Sequence, residues 1–229
     1  MIGEVGIQAA QRATKTIPTV GIAADMLRTG LAASMARPGG NLTGVNILAS
    51  ELDAKRLEIL HEAVPAAKRI GALALPDRGW DSLPELEAAA RQLDLKLVVV
   101  TVRSLDKLTG GLDALQSAGV DAVNVLASAA ISPARATIID RLNRARVPAI
   151  YEAPELAEAG GFLGYGSSFD FNSRLVARLA SKILRGARPA DLPIEQPDRF
   201  DLVINLKTAN AMDVTVPPAL LVRADKVIE

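Results

Sequence analysis

FLGYG (162–166), a long amphipathic helical pattern, RGARPADLPIEQP (185–197) and FDLVINL (200–206) follow one another in the last third of the chain. Upstream, the sequence reads as a regular series of βα units. A chain that leaves such a series through one strand and one long helix, and ends in a different strand, is expected to return to a first lobe. The reading is therefore a two-lobed α/β protein, and such proteins bind small ligands between their lobes.

The βα series runs outward from FLGYG toward the N-terminus. Strands are expected at Arg69–Leu75, Leu95–Val102, Asp121–Ala127 and Pro148–Tyr151, with FLGYG as the fifth. Their spacing is that of βαβ units with a parallel sheet. Runs such as IGALAL and LVVV are continuously apolar, as strands covered on both faces must be. Helix starts are marked by Ser50-Glu-Leu-Asp53, by the capping box Ser82-Leu-Pro-Glu85, by Ser104 and by Ser132-Pro133. The helix after Tyr165 groups Leu175, Val176, Leu179 and Ile183 and should stop at Gly186 as a C′ glycine. Nearer the start, Ile17–Ala23 reads as a strand, Leu27–Ala36 as a helix and ARPGGNLTGVN (36–46) as a loop with a short strand. The expected division is a discontinuous lobe, 1–48 plus 167–229, and a continuous α/β lobe, 49–166. Hinges are expected near Val45–Ala49 and Gly164–Ser168.

Composition narrows the function. Lys+Arg and Asp+Glu number 26 each, so the formal net charge is zero, which disfavours nucleic acid as a partner. No apolar run is long enough for membrane insertion, and residues 1–15 lack the apolar h-region of a signal peptide. The chain has no Cys and one His, His61, so thiolate chemistry and His/Cys metal sites are excluded by count. His61 reads as a rim or surface residue. No nucleophile elbow or phosphate loop is present; Gly39-Gly40-Asn41 reads as a tight turn, and the glycines of GYGSSF do not complete a dinucleotide fingerprint. No catalytic residue, metal ligand or cofactor is assigned.

Open α/β sheets bind ligands at the carboxyl ends of their strands. The polar and aromatic residues standing there are Asp25, the Asp77-Arg78-Gly79-Trp80-Asp81 loop, Ser128, and Tyr151-Glu152. The candidate ligand contacts are thus Asp25, Asp77, Arg78, Trp80, Ser128, Tyr151 and Glu152. Arg78 or Ser128 would donate to a carboxylate, Asp25 or Glu152 would accept from an ammonium, and Trp80 or Tyr151 would form an apolar wall. Against this stands the plainer reading in which Trp80 covers a helix end, Tyr151 is core and the charges are solvated.

The strings ARPGGNLTG (36–44), ELDAKRLEILHEAVP (51–65), VPAIYE (147–152), EAGGFLGYG (158–166), KILRGARPADLPIEQPDRFDLVINLKTANAM (182–212) and VPPALLVRADKVIE (216–229) resemble the substrate-binding proteins of a family of ABC transporters. The resemblance covers nearly the whole chain. It implies the type I periplasmic-binding fold, a small-molecule ligand (in some members an aromatic or hydrophobic amino acid), a membrane permease as partner and a periplasmic location. It also implies a signal peptide and about three βα units ahead of the segment that matches IGEVGIQAAQRATKTIPTV. The first lobe is accordingly expected to be incomplete and loosely packed or partnered. Two other readings stay open: an α/β enzyme using Asp77 with Glu152 as acid and base, and the ligand-sensing domain of a regulator.

Overall fold

The computed structural model describes residues 3–75 and 83–229, and for 49–51 the backbone alone. The chain forms two compact units, one of residues 1–49 and 167–199, the other of 50–166 and 200–229. It passes between them three times.

The larger unit is a seven-stranded sheet. Its elements in chain order are α2 (Ala49–Ala63, which starts at the boundary), β3 (Arg69–Ala74), α3 (Leu83–Gln92), β4 (Lys96–Thr101), α4 (Leu108–Ser117), β5 (Ala122–Val125), α5 (Ile131–Arg144), β6 (Ala149–Tyr151), α6 (Pro154–Glu158) and β7 (Leu163–Gly166). After the excursion through the other unit come β8 (Asp201–Asn205), α8 (Leu206–Ala211), α9 (Pro218–Arg223) and β9 (Lys226–Ile228). The strand order is β4-β3-β5-β6-β7-β8-β9, parallel except where β8 runs antiparallel to β7. Strand residues alternate between faces. Ile70, Ala72, Ala122, Ile150, Leu163, Leu202 and Ile204 meet α2, α3, α8 and α9 on one side. Leu73, Val123, Val125, Ala149 and Tyr151 meet α4, α5 and α6 on the other. The double covering explains the unbroken apolar runs; β4 and β9, on the two sheet edges, are half-exposed.

The smaller unit contains α1 (Glu4–Ala13), β1 (Thr19–Ala23), β2 (Leu42–Asn46) and α7 (Phe169–Leu184). β1 and β2 pair in parallel, and Glu195 bridges to β2 at Val45. The connector at 185–197 is therefore part of this unit. Its Glu195 amide donates to Gly44 and its Glu195 carbonyl accepts from Asn46, while Ile194 is buried beside Ile7, Met26 and Leu42. α7 ends as expected: Gly186 has φ of 99°, and the amides of Gly186 and Ala187 donate to Ile183 and Lys182 in a Schellman arrangement.

Two expectations need correction. The strand at 200–206 does not return to the first lobe, as the boundary 167–229 required. It lies against FLGYG, with Leu163 opposite Ile204 and Tyr165 opposite Leu202. Its inward-facing Leu202 and Ile204 complete an apolar face of the larger sheet, which a strand in the smaller unit could not do. Residues 27–36 form turns, not a helix. Gly30 takes φ of 68°, and the amides of both Leu31 and Ala32 donate to the Met26 carbonyl, closing the chain on itself so that Met26, Leu31 and Ala32 bury together. The capping box expected at Ser82 lies outside the described residues.

Candidate functional site

The carboxyl ends of β5, β6 and β7 converge on the N-terminal half of α2. The cause is a charged pair on the apolar face of that helix. Asp53 and Arg56 share a face with Leu57 and Leu60, and their side chains are 0% and 2% exposed. Arg56 Nη1 donates to Asp53 Oδ1 at 2.7 Å. Its Nε donates to the Tyr165 carbonyl of β7 at 2.8 Å, and Nη2 to the Glu152 carbonyl just past β6 at 3.3 Å. Asp53 Oδ1 also accepts the Ala127 amide at 3.3 Å, and the Asp53 carbonyl accepts Nδ2 of Asn124 in β5 at 2.9 Å. Three strand ends are thus tied to one ion pair. Removing one partner of such a pair leaves a buried, uncompensated charge, at a cost of about 3–5 kcal/mol.

Above this pair sit two of the expected contacts. The Ser128 amide donates to Glu152 Oε2 at 3.0 Å. Ser128 Oγ accepts the Ala130 amide at 3.1 Å, and the Ser128 carbonyl accepts the Ile131 amide at the start of α5. Glu152 is half-buried, and its carboxylate is aimed by a main-chain donor. Both chains approach closely because β7 carries no side chains there: a Cβ on Gly166 would stand 1.9 Å from the Glu152 carbonyl oxygen, and one on Gly164 2.5 Å from that of Ala153. These glycines, expected as hinge residues, are required in the first place for space.

The other expected residues separate. Tyr151 is 1% exposed and faces the core under α5 and α6, so it forms no part of a ligand wall; in β6 it stands opposite Gly164 of β7, and its ring is part of the sheet's packing. Its hydroxyl is buried and, among the described residues, has no hydrogen-bond partner, and burial pushes its pKa up. Asp25, in the smaller unit, follows β1 and accepts the amides of Leu27 and Arg28 through Oδ1, with Arg28 Nε at 3.5 Å from its other oxygen. It is the turn-former that redirects the chain after the strand. Asp77, Arg78 and Trp80 lie outside the described residues. Asp53, Arg56 and Asn124 were not anticipated, although charges at i and i+3 on the Leu57–Leu60 face were a visible sign that something buried must pair there.

Tyr151→Phe should raise stability by about 1 kcal/mol, because it removes a buried hydroxyl that has no partner among the described residues. Chemical denaturation of the two proteins checks this; a loss of stability of that size would place an unseen partner at the hydroxyl.

A family model described as ABC transporter substrate binding protein matches residues 1–228. The chain belongs to this family. A crystal structure of an ABC domain in complex with L-Trp from Streptococcus pneumoniae is 25% identical, with a TM-score of 0.87 over 99% of this chain and 77% of that one. A conserved domain protein from Vibrio cholerae O1 biovar El Tor is 28% identical, also with a TM-score of 0.87, over 99% of this chain and 76% of that one. A tyrosine-binding protein of Clostridioides difficile strain R20291 is 25% identical over 210 residues, 90% of this chain and 60% of that protein. The chain therefore spans less than two thirds of the length of this curated relative. The fold of this substrate-binding family member is the type I periplasmic-binding one, as its sequence implied. Among the described residues, no helix is long and apolar enough to cross a membrane.

Proposed function

We propose that this chain is the solute-binding component of an ABC-type importer, without catalytic activity, and that its ligand is an amino acid with an aromatic side chain. The family match over residues 1–228 carries the first part. The relatives described by their L-Trp and tyrosine ligands support the second. The receptor would work outside the cytoplasm, close over its ligand, and deliver it to a permease. Closure follows when the ligand has greater affinity for the closed arrangement than for the open one.

Ser128 and Glu152 are the proposed contacts on the larger unit. Glu152 supplies a fixed carboxylate for an ammonium group. Its orientation by the Ser128 amide is the feature that suits it to this role, since a carboxylate already aimed loses little entropy on binding.

Calorimetric titration with L-Trp and L-Tyr tests the proposal. At a ligand concentration of 100 times Kd, folded protein should gain about 2.7 kcal/mol, readable as a rise in unfolding temperature. Glu152→Gln should weaken binding by about 10- to 100-fold, the loss of one charge-assisted hydrogen bond worth about 1.5–3 kcal/mol. Absence of heat and of thermal shift with both amino acids at millimolar concentration would refute the ligand class. Unchanged affinity in Glu152→Gln would remove Glu152 from the site.

A further inference from the structure

The Asp53–Arg56 pair invites a question that stability does not answer. Replacing a buried ion pair with apolar residues of similar volume is often neutral or stabilising, so such a pair is poor evidence of a stabilising role. Here its location is specific. Asp53 holds the Ala127 amide, one residue before Ser128, and Arg56 holds the Glu152 carbonyl. The same pair therefore fixes the main chain on both sides of the Ser128–Glu152 contact. The guanidinium has donors left for Tyr165 in β7, one residue before Gly166, where the larger unit gives way to residue 167 of the smaller one. Only Arg supplies donors in three directions from a rigid plane; a Lys ammonium in the same place would satisfy Asp53 and abandon at least one carbonyl. Gly166 lets the strand lie against the Glu152 carbonyl that Arg56 holds, since a Cβ there would stand 1.9 Å from that oxygen.

We propose that Asp53 and Arg56 are positioning residues for ligand binding: they touch no ligand, and act through the main chain at Ala127 and Glu152 to set the Ser128–Glu152 contact. The effect on affinity rests on the proposed function of those two contacts; the effect on their geometry does not.

The test uses the full chain in three forms: unchanged, Arg56→Lys, and the double variant Asp53→Leu with Arg56→Met. Two quantities are measured, the exchange rate of the Ser128 amide without ligand and the affinity for L-Trp and L-Tyr. Arg56→Lys should speed Ser128 exchange at least tenfold and weaken binding at least tenfold, while amides of 70–73 in β3 keep their protection. The double variant removes both charges and fills their space with apolar side chains, so it should unfold at or above the temperature of Arg56→Lys. It should nevertheless recover neither Ser128 protection nor affinity. A double variant that is folded, with Ser128 exchange and both affinities within twofold of the unchanged chain, would overturn the proposal and leave the pair a purely structural one. If the unchanged chain binds neither amino acid, the ligand assignment fails separately. Ser128 exchange then decides alone: a tenfold increase in the double variant upholds the positioning role, and an unchanged rate refutes it.

Discussion

A chain ended after Arg199 will not fold its larger unit, although that unit keeps five of its seven strands. The shortened chain loses β8, α8, α9 and β9, and with them Leu202, Ile204, Val216 and Leu220, all at least nine-tenths buried in one core cluster. Full burial of an aliphatic side chain of this size contributes about 1.5–3 kcal/mol. Four of them contribute about 6–12 kcal/mol, which is the whole net stability of an ordinary domain. The loss also strips β7 of its antiparallel partner, and with it the hydrogen bonds from the Asn205 side chain to the Ala157 carbonyl and from Thr208 Oγ1 to that of Gly160. The expected result is loss of the cooperative unfolding transition and rapid proteolysis within 50–166. A shortened chain that keeps a sharp transition and slow amide exchange in β3 and β5 would show that the C-terminal strands only decorate the sheet.

Gly166→Ala is expected to destabilise the larger unit by about 3 kcal/mol, at the upper end of the usual cost of overpacking. The added carbon would stand 1.9 Å from the Glu152 carbonyl oxygen and 3.1 Å from its carbon. Neither atom belongs to a flexible side-chain end, and the carbonyl is already engaged by Arg56. Relief requires β6 and β7 to separate at their carboxyl ends, which breaks that hydrogen bond and disturbs the Ser128–Glu152 contact. For a chain of this size the unfolding temperature should fall by roughly 6–12 °C. Calorimetry decides the matter: a fall under about 3 °C would mean that the two strand ends part at little cost.

The sequence made the βα units of the larger lobe readable because each carries its own signal. Strands covered on both faces are apolar throughout, and helix ends such as Gly186 need particular residues. The destination of a strand is not local information. FDLVINL has the period of a half- or fully buried strand in any sheet, and the preceding Pro-rich connector could lead into either unit. What decides is the uncovered edge of β7, a property of residues 40 positions away. Leu27–Ala36 misled for the opposite reason: its apolar spacing suits a helix, yet Asp25 and Gly30 favour turns that bury the same side chains. At the site, Ser128 and Glu152 were legible from their place after strands. Tyr151 was not, because its position beside Glu152 says nothing of which face of β6 it occupies; in a strand, neighbours point opposite ways. Arg56 escaped notice since a charged residue within an amphipathic helix ordinarily points to water, and the strand ends that accept its hydrogen bonds come from 96 and 109 residues further along.

The three passages of the chain between its units have a consequence for the order of events on the ribosome. The smaller unit cannot close until α7 and Glu195 have been synthesised, and the larger cannot close until β8 has followed them. Residues 50–166 emerge with a nearly complete set of strands and nothing to seal the edge at β7. The larger unit, although most of its strands come earlier, is therefore the later of the two to be completed. Until Glu195 and then β8 have been made, the segment 50–166 has no partner for the edge at β7.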